Sequence, residues 1–421
     1  MNKNKISIIQ PVERYRLNNG VTVLLEQLNE YVSSSAGFFL RKGARDELAN
    51  QGGYCHFCEH MIFKDTTSYT KDQIASIFDK MGGFINAYTS HEQVVLYNRV
   101  PPYYLMENLQ MMYDMFQNST FDQKEAELER QVIINEINST LEDPSDKLHE
   151  DFMMNIFPDH SLGLPIIGTK EIINNTLRDD LYRFYLDNFH ADDLIISIAG
   201  NFDKDKVLKY LDSLRFRRGT KSKSSKAAAA KGGYHFTTLP SEQLHIMAGN
   251  ANFELDDAEY FRLGLLNTIF GESMSSRLFQ RVREELGLCY TIYSYIHKYR
   301  SEYLFAIYTS IQPENVDIAM DAISGVIREL LDKGISAEEL EKVKDQKVGS
   351  ILLGSDVLQK RMSSNAYFES RFKKSYKSND LIDIIRDTSL KHMTGLINKV
   401  FIKDNFVTHG LYKKKVKMKK I

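Results

Sequence analysis

The 421-residue sequence predicts an α+β protein of two homologous domains, each a mainly antiparallel sheet with helices packed on one face. Three observations support this fold class. The length suits two domains of about 200 residues each. A polar, basic segment lies near the middle of the chain, and the same order of predicted strands and helices occurs on both sides of it.

In the first half, a pair of strands precedes a pair of helices. Residues 83–90 and 94–100 read as strands, and a helix is predicted from about 104 to 117. A second helix follows Asp122, which is a suitable N-cap because Glu125 lies three residues further on. This order of elements is typical of an α+β unit.

The second half repeats that order. Residues 289–295 and 303–310 are rich in Tyr, Ile, Thr and Phe, which favour strands. A helix is predicted over 314–333, and residues 335–340 open another. The chain is therefore predicted to be duplicated.

The boundary between the halves is predicted at residues 215–233. This segment contains seven Lys or Arg, no acidic residue and no apolar periodicity, so it reads as a basic linker. A patch for an anionic ligand is the alternative. The predicted domains are then 1–214 and 234–421.

Composition narrows the classes of function. The net charge of −2 argues against general nucleic-acid binding, and no apolar run approaches the roughly 18 residues of a membrane span. The first residues resemble neither a secretion signal nor a mitochondrial presequence. With only three cysteines, a reducing compartment is favoured, and we expect a cytoplasmic protein.

The pentad from His56 to His60 carries the strongest chemical signal. Its two imidazoles are four residues apart, which places both on one face of a helix and suits two ligands of one metal ion. Glu59 directly precedes the second His, so its carboxylate could reach a water on that ion. The order H-x-x-E-H is the inverted form of a common zinc-peptidase motif.

Two cysteines bracket the first histidine of the pentad. Cys55 and Cys58 could be read as a redox pair or as half of a structural zinc site. A second pair is missing, because only Cys289 remains. We expect both to pack the helix as small residues.

A third metal ligand is expected on the helix after Asp122, since a catalytic zinc usually has three protein ligands and one open position. Glu129 and Glu136 lie seven residues apart there, on one helix face. From the residues alone, either could equally be a solvated surface carboxylate.

Together these features resemble the pitrilysin family of zinc metallopeptidases. The likeness runs from about residue 15 to about residue 400, and the length resembles the short-chain branch with the mitochondrial processing peptidase β subunit and its bacterial relatives. The resemblance implies that His56, His60 and Glu136 bind Zn²⁺. It implies that Glu59 is the general base and that Glu129 supports the catalytic site.

The resemblance also suggests how substrate binds. Asn86, Ala87 and Tyr88 fall in a strand similar to the family's edge strand, which pairs with the peptide backbone. Arg283 and Tyr290 have the separation of the family's Arg and Tyr that contact the scissile peptide. The first domain is then the catalytic one, and the second lacks metal ligands but contributes to substrate binding.

The expected partners follow from the same resemblance. Longer relatives close four such domains around a substrate, so this two-domain chain is expected to pair with a second copy or a paralogous chain. The expected substrates are extended peptides, either unfolded or presequence-like. The alternative is a non-catalytic partner or scaffold subunit. The glycine-rich loop of such subunits is missing at 270–276, which favours the catalytic type.

Overall fold

Two mixed sheets and their helices form the protein in the computed structural model, which describes residues 12–219, 225–402 and 404–419. The strands are β1 Glu13–Arg16, β2 Thr22–Gln27, β3 Ser34–Leu40, β4 Asn86–Thr89, β5 Val94–Val100, β6 Leu194–Gly200, β7 Gly233–Thr238, β8 Leu244–Asn250, β9 Cys289–Lys298, β10 Tyr303–Ile311 and β11 Val407–Tyr412. The α-helices are α1 Tyr54–Met61, α2 Lys71–Met81, α3 Leu105–Asn118, α4 Gln123–Glu142, α5 Pro144–Ile156, α6 Lys170–Asn175, α7 Arg178–Asn188, α8 Lys204–Ser213, α9 Asp257–Asn267, α10 Val316–Lys333, α11 Ala337–Ser355, α12 Leu358–Phe372, α13 Ser378–Arg386 and α14 Leu390–Val400. Among these residues, no helix is long and apolar enough to cross a membrane.

The two sheets have the same topology. The first has the strand order β1-β2-β6-β3-β5-β4 and the second the order β7-β11-β8-β10-β9. In each, one parallel pair (β2 with β6, β7 with β11) joins otherwise antiparallel strands. Apart from β1, every strand of the first sheet has a counterpart in the second. The predicted pair of α+β domains is therefore confirmed, with mixed sheets.

Local sequence signals account for the bounds of several elements. The helix predicted from 104 begins at Leu105, because Pro102–Tyr104 forms a 3₁₀ turn before it. The N-cap predicted at Asp122 is present: its carboxylate accepts the N–H groups of Lys124 and Glu125 at 2.8 and 3.1 Å. The first predicted strand, 83–90, is shorter in the structure, where β4 covers only Asn86–Thr89.

Both faces of the first sheet are covered, where the sequence predicted helices on one face. Phe38 of β3 contacts Phe116 of α3, with ring centroids 6.0 Å apart. Its neighbour Phe39 points to the opposite face and packs in a buried cluster with Leu358 and Met362 of α12. Every residue of β3 and β6 is buried as a result.

Each compact unit takes one helix from the other half of the chain. α12 packs on β3 and β6 of the first unit, while Leu148 and Phe152 of α5 pack on Met247 of the second sheet. The units are therefore discontinuous, unlike the predicted domains 1–214 and 234–421. The first comprises Met1–Ile137, Pro165–Ser224 and Leu352–Asn379, and the second comprises Asn138–Leu164, Ser225–Ile351 and Asp380–Ile421, within their described residues.

The ends of the predicted basic linker are packed parts of the two units. In the first unit, Arg218 forms two 3.0 Å hydrogen bonds to Asp192, and Arg217 lies over the ring of Tyr185. In the second unit, Ala227 is buried and its N–H donates to Glu302. Residues 220–224 of the predicted linker lie outside the described residues.

Candidate metal centre

The helix α1 presents the pentad, and its start is held by a buried carboxylate. Glu47 accepts the N–H groups of Gly53 and Cys55 at 2.9 and 2.7 Å, which satisfies two donors at the helix N-terminus. Burial raises the pKa of Glu47 to about 8, against the lowering effect of these two donors. Gly53 has φ +90, and a Cβ there would lie 2.6 Å from the backbone oxygen of Ile167. The position and start of α1 are thus tightly constrained.

Three predicted ligand atoms converge in the first unit. Nε2 of His56 and Nε2 of His60 lie 3.6 and 3.8 Å from the same Glu136 carboxylate oxygen. All three ligand atoms lie within 4.8 Å of one another. Atoms bound about 2.1 Å from a tetrahedral zinc would be roughly 3.4 Å apart, so this donor set fits zinc with little adjustment. Two imidazoles and one carboxylate also form a ligand set typical of catalytic zinc.

The protonation state of His56 favours binding of a cation. Burial lowers its pKa to about 3, and the neighbouring His60 contributes to this shift. The imidazole is therefore neutral at physiological pH, which is the state that ligates metals.

Glu129 contacts Nδ1 of His60, the ring nitrogen that does not belong to the cluster of candidate ligand atoms. Its carboxylate lies 2.8 Å from Nδ1 of His60, and Nζ of Lys64 lies 2.5 Å from its other oxygen. Burial raises the pKa of Glu129, but the hydrogen bonds with His60 and Lys64 outweigh burial, so the pKa is lowered. In metal sites generally, a carboxylate that contacts one nitrogen of a histidine orients the ring and leaves the other nitrogen for the metal.

Glu59 points towards the strand β4. Its carboxylate accepts a 2.5 Å hydrogen bond from the hydroxyl of Thr89, the last residue of that strand. Burial raises the pKa of Glu59, while the Thr89 hydrogen bond and His60 oppose this shift. A raised pKa makes this carboxylate a stronger base than an exposed one, which suits a group that accepts a proton from water.

The strand β4 is an edge of the first sheet, since it pairs only with β5 among the described strands. Asn86 and Tyr88 are exposed, whereas Ala87 and Thr89 are half-buried. The N–H of Ala87 donates to the side chain of Asn86 at 2.8 Å. The predicted edge strand is therefore present, its last residue contacts Glu59, and one of its edges has no partner among the described strands.

The second unit brings together the other two predicted binding residues. The guanidinium of Arg283 lies 4.9 Å from the ring centre of Tyr290 and 4.6 Å from that of Phe279. Tyr290 is 77% exposed. A cationic side chain and a phenol that are seven residues apart in the sequence are thus adjacent at the start of β9.

Cys55 and Cys58 do not form a redox pair. Both are fully buried free thiols on α1, and burial raises both pKa values well above the usual range. Thiols of this kind are unreactive.

Sequence reasoning missed the contacts that Glu47 and Thr89 make. Glu47 lies six residues before Gly53, in a turn with no recognisable cap spacing. Thr89 belongs to the predicted edge strand, and only the alternation of side chains along that strand could have indicated that it faces α1.

Comparison with protein families finds two adjacent matches. Residues 22–170 match the family described as insulinase, peptidase family M16, and residues 176–347 match the family described as the peptidase M16 inactive domain. The three clustered ligand residues all fall in the first match.

Individual relatives span nearly the whole chain. The chain is 32% identical over 397 residues to the uncharacterized zinc protease YmxG of Bacillus subtilis, covering 93% of this chain and 96% of that protein. It is 31% identical over 389 residues to an uncharacterized zinc protease of Rickettsia felis, covering 92% of this chain and 94% of that protein.

Solved structures share the fold. A protease from Helicobacter pylori superposes with a TM-score of 0.89 at 19% identity, over 96% of this chain and all of that one. A peptidase M16 inactive domain from Pseudomonas fluorescens also gives 0.89, at 17% identity, over 97% of this chain and all of that one.

Proposed function

The chain belongs to peptidase family M16, the insulinase family, and we propose that it is an active zinc-dependent endopeptidase. The observation that carries the proposal is the convergence of His56, His60 and Glu136, with Glu59 close enough to interact electrostatically with His60 and Glu136. We place it in the short-chain branch that resembles the mitochondrial processing peptidase β subunit, because its length and duplicated topology suit that branch.

The catalytic roles follow from the positions of the side chains. Zinc held by His56, His60 and Glu136 would polarise the scissile carbonyl and bring the pKa of a water towards about 7. Glu59 accepts a proton from the attacking water and returns it to the leaving amine, so the carboxylate is regenerated in each cycle. Thr89 holds this carboxylate in place through its hydroxyl group.

The substrate is an extended peptide bound as an added strand. β4 presents an unpaired edge beside Glu59, and backbone pairing there would hold a peptide largely independently of its sequence. Unfolded or presequence-like segments can adopt this conformation, whereas folded domains cannot. Arg283 and Tyr290 supply hydrogen-bond donors of the kind that stabilise a developing oxyanion.

The partner we propose is a second copy of the chain or a paralogue. By family resemblance, Arg283 and Tyr290 would then serve the zinc of the other chain. A mixed dimer of a Glu59→Gln chain and a Tyr290→Phe chain tests this, because one of its two sites would lose both groups and the other would keep both. About half the wild-type activity should remain, and near-complete loss would exclude the arrangement.

A non-catalytic scaffold role is the competing function. The match to the inactive domain concerns residues 176–347, whereas the clustered ligands lie within 22–170, so that match does not favour inactivity of the first unit.

The decisive experiment is digestion of a diverse peptide library, read by mass spectrometry. Wild-type protein should hold about one zinc per chain and cut peptides. Glu59→Gln should keep the zinc and lose cleavage, and Glu142→Gln, which changes an exposed carboxylate of α4, should match wild type. Metal-bound wild-type protein that cuts no peptide in the library would overturn the proposal and favour the scaffold.

A further inference from the structure

We propose that Glu92 is a positioning residue, through which α12 of the C-terminal half holds the edge strand and the base Glu59 in place. This inference rests on the proposed peptidase function. Glu92 lies in the turn between β4 and β5 and is 1% exposed. Its effect on β4 would pass through the backbone of this turn, which follows Thr89 directly.

Two guanidinium groups hold the Glu92 carboxylate. Nη1 of Arg45 lies 2.6 Å from one oxygen, and Nη1 of Arg371 contacts the other. The side chains of both arginines are more than nine-tenths buried. Separating the members of a buried ion pair is strongly destabilising, because it leaves an uncompensated charge. A movement of the turn that carried Glu92 away from the two arginines would have this cost, so the ion pairs hold the turn in place.

Arg45 belongs to a segment that connects the turn with α1, the helix that carries His56 and His60. The N–H groups of Ala44 and Arg45 donate to the backbone oxygens of Ser90 and His91, at 3.2 and 2.7 Å. A Cβ on Gly43 would lie 2.3 Å from the Ser90 oxygen, so the two backbones are in direct contact. The segment that ends at Glu47, which holds the start of α1, is thereby fastened to the turn after β4.

Arg371 belongs to α12, which also contacts the residue after Glu92. Besides the ion pair with Glu92, Nε2 of Gln93 donates to Ser370 of α12 at 3.0 Å. Burial raises the pKa of Tyr88 on β4, and Arg371 only partly offsets this shift. The end of α12 therefore contacts two neighbouring residues of the turn region, Glu92 and Gln93.

The edge strand depends on this turn for its position. β4 has four residues and one partner among the strands that the structure describes, and Thr89 at its end lies three residues before Glu92. Short edge strands are weakly specified by their own pairing. If the turn shifts, the Thr89 hydroxyl leaves Glu59 and the strand no longer presents a fixed edge to a peptide.

A matched control exists on the same helix. Glu26 of β2 is 3% exposed and pairs with the buried Arg361 of α12, and it accepts a second bond from Asn365 at 3.0 Å. This pair also joins α12 to the sheet, but β2 is not a neighbour of β4. A purely structural role would make Glu92→Gln and Glu26→Gln equivalent.

The test compares these two variants with wild type for zinc content, thermal unfolding, and kcat and KM on a peptide that wild type cuts. Glu92→Gln should keep its zinc, lower kcat/KM by at least about tenfold with part of the loss in KM, and exceed Glu26→Gln in this loss at similar stability. Equal kcat/KM for the two variants would overturn the proposal.

A second readout does not need activity. Hydrogen exchange of the amides of residues 86–89 should be faster in Glu92→Gln and unchanged in Glu26→Gln, even if wild type cuts no peptide. Unchanged exchange in Glu92→Gln would overturn the positioning role. If Glu92→Gln fails to fold, Arg371→Lys takes its place, because it keeps the charge but loses the planar geometry of the guanidinium.

Discussion

His60 faces two glutamates of the same helix from opposite nitrogens of its ring. Nδ1 lies 2.8 Å from Glu129, and Nε2 lies 3.8 Å from Glu136. The two carboxylates are two helical turns apart, so one helix supplies both a candidate ligand and the carboxylate that contacts the other ring nitrogen of His60.

Glu129→Gln should weaken zinc binding by about 10–100-fold while leaving the fold intact, since an outer partner of a ligating histidine has effects of this size. Competition against a chelator of known affinity measures this. Glu142→Gln, an exposed carboxylate on α4, is the control and should bind like wild type. Equal affinities for the two variants would show that Glu129 does not orient His60.

Removal of zinc should lower the stability of the protein. An ion that binds only the folded state stabilises it by about 4 kcal/mol at a concentration of 1,000 times its dissociation constant. Thermal unfolding with and without a chelator measures the difference. Glu136→Gln removes one of the three candidate ligands, so the unfolding temperature of this variant should respond much less to the chelator. An equal response in both proteins would place the metal elsewhere.

The sequence predicts those parts of the site that depend on local spacing. His56 and His60 are one helical turn apart, and Glu129 and Glu136 are two turns apart on α4. Helical periodicity therefore places each pair on one face before any tertiary contact is known.

Contacts between distant segments have no such local signal. Glu47 meets the start of α1 from a separate turn, and Arg371 reaches Glu92 across 279 positions of the chain. The exchange of α5 and α12 belongs to the same class, because both helices have ordinary amphipathic sequences that do not indicate which sheet they cover. The sequence therefore predicted two domains that are each continuous along the chain, whereas each compact unit consists of three separate segments.

Met362→Ala should destabilise the first unit by about 2–5 kcal/mol, because this fully buried side chain of α12 packs against Leu24 and Phe39 of its sheet. Denaturant unfolding is measured for the variant and for wild type, with and without zinc. The comparison shows whether the unfolding transition that the substitution weakens is also the transition that zinc stabilises. Leu353→Ala, at a position of α11 that is 73% exposed, should change stability little. A loss no larger than that of Leu353→Ala would contradict the packing of α12 on the first sheet.

A buried histidine of the second unit should make stability depend on pH. His409 is 3% exposed; Asn155 donates to its Nδ1 and Thr237 lies at its Nε2, both at 3.0 Å. Thr237 also donates to Asp151 at 2.5 Å, so this group of side chains is satisfied when the imidazole is neutral. Burial lowers the pKa of His409 from 6.5 to about 4, although Asp151 opposes the shift.

Because the folded protein resists protonation of His409, the stability from this residue is complete above about pH 6.5 and is lost as the pH falls towards 4, by at most about 3 kcal/mol. Denaturant midpoints between pH 7 and 4 should therefore fall less steeply in His409→Gln than in wild type. His392→Gln, which changes a half-buried histidine at the start of α14 and leaves a residue able to form the same capping box with Ser389, should keep the wild-type slope. Parallel curves for His409→Gln and wild type would show that this histidine binds its proton equally well in the folded and unfolded protein.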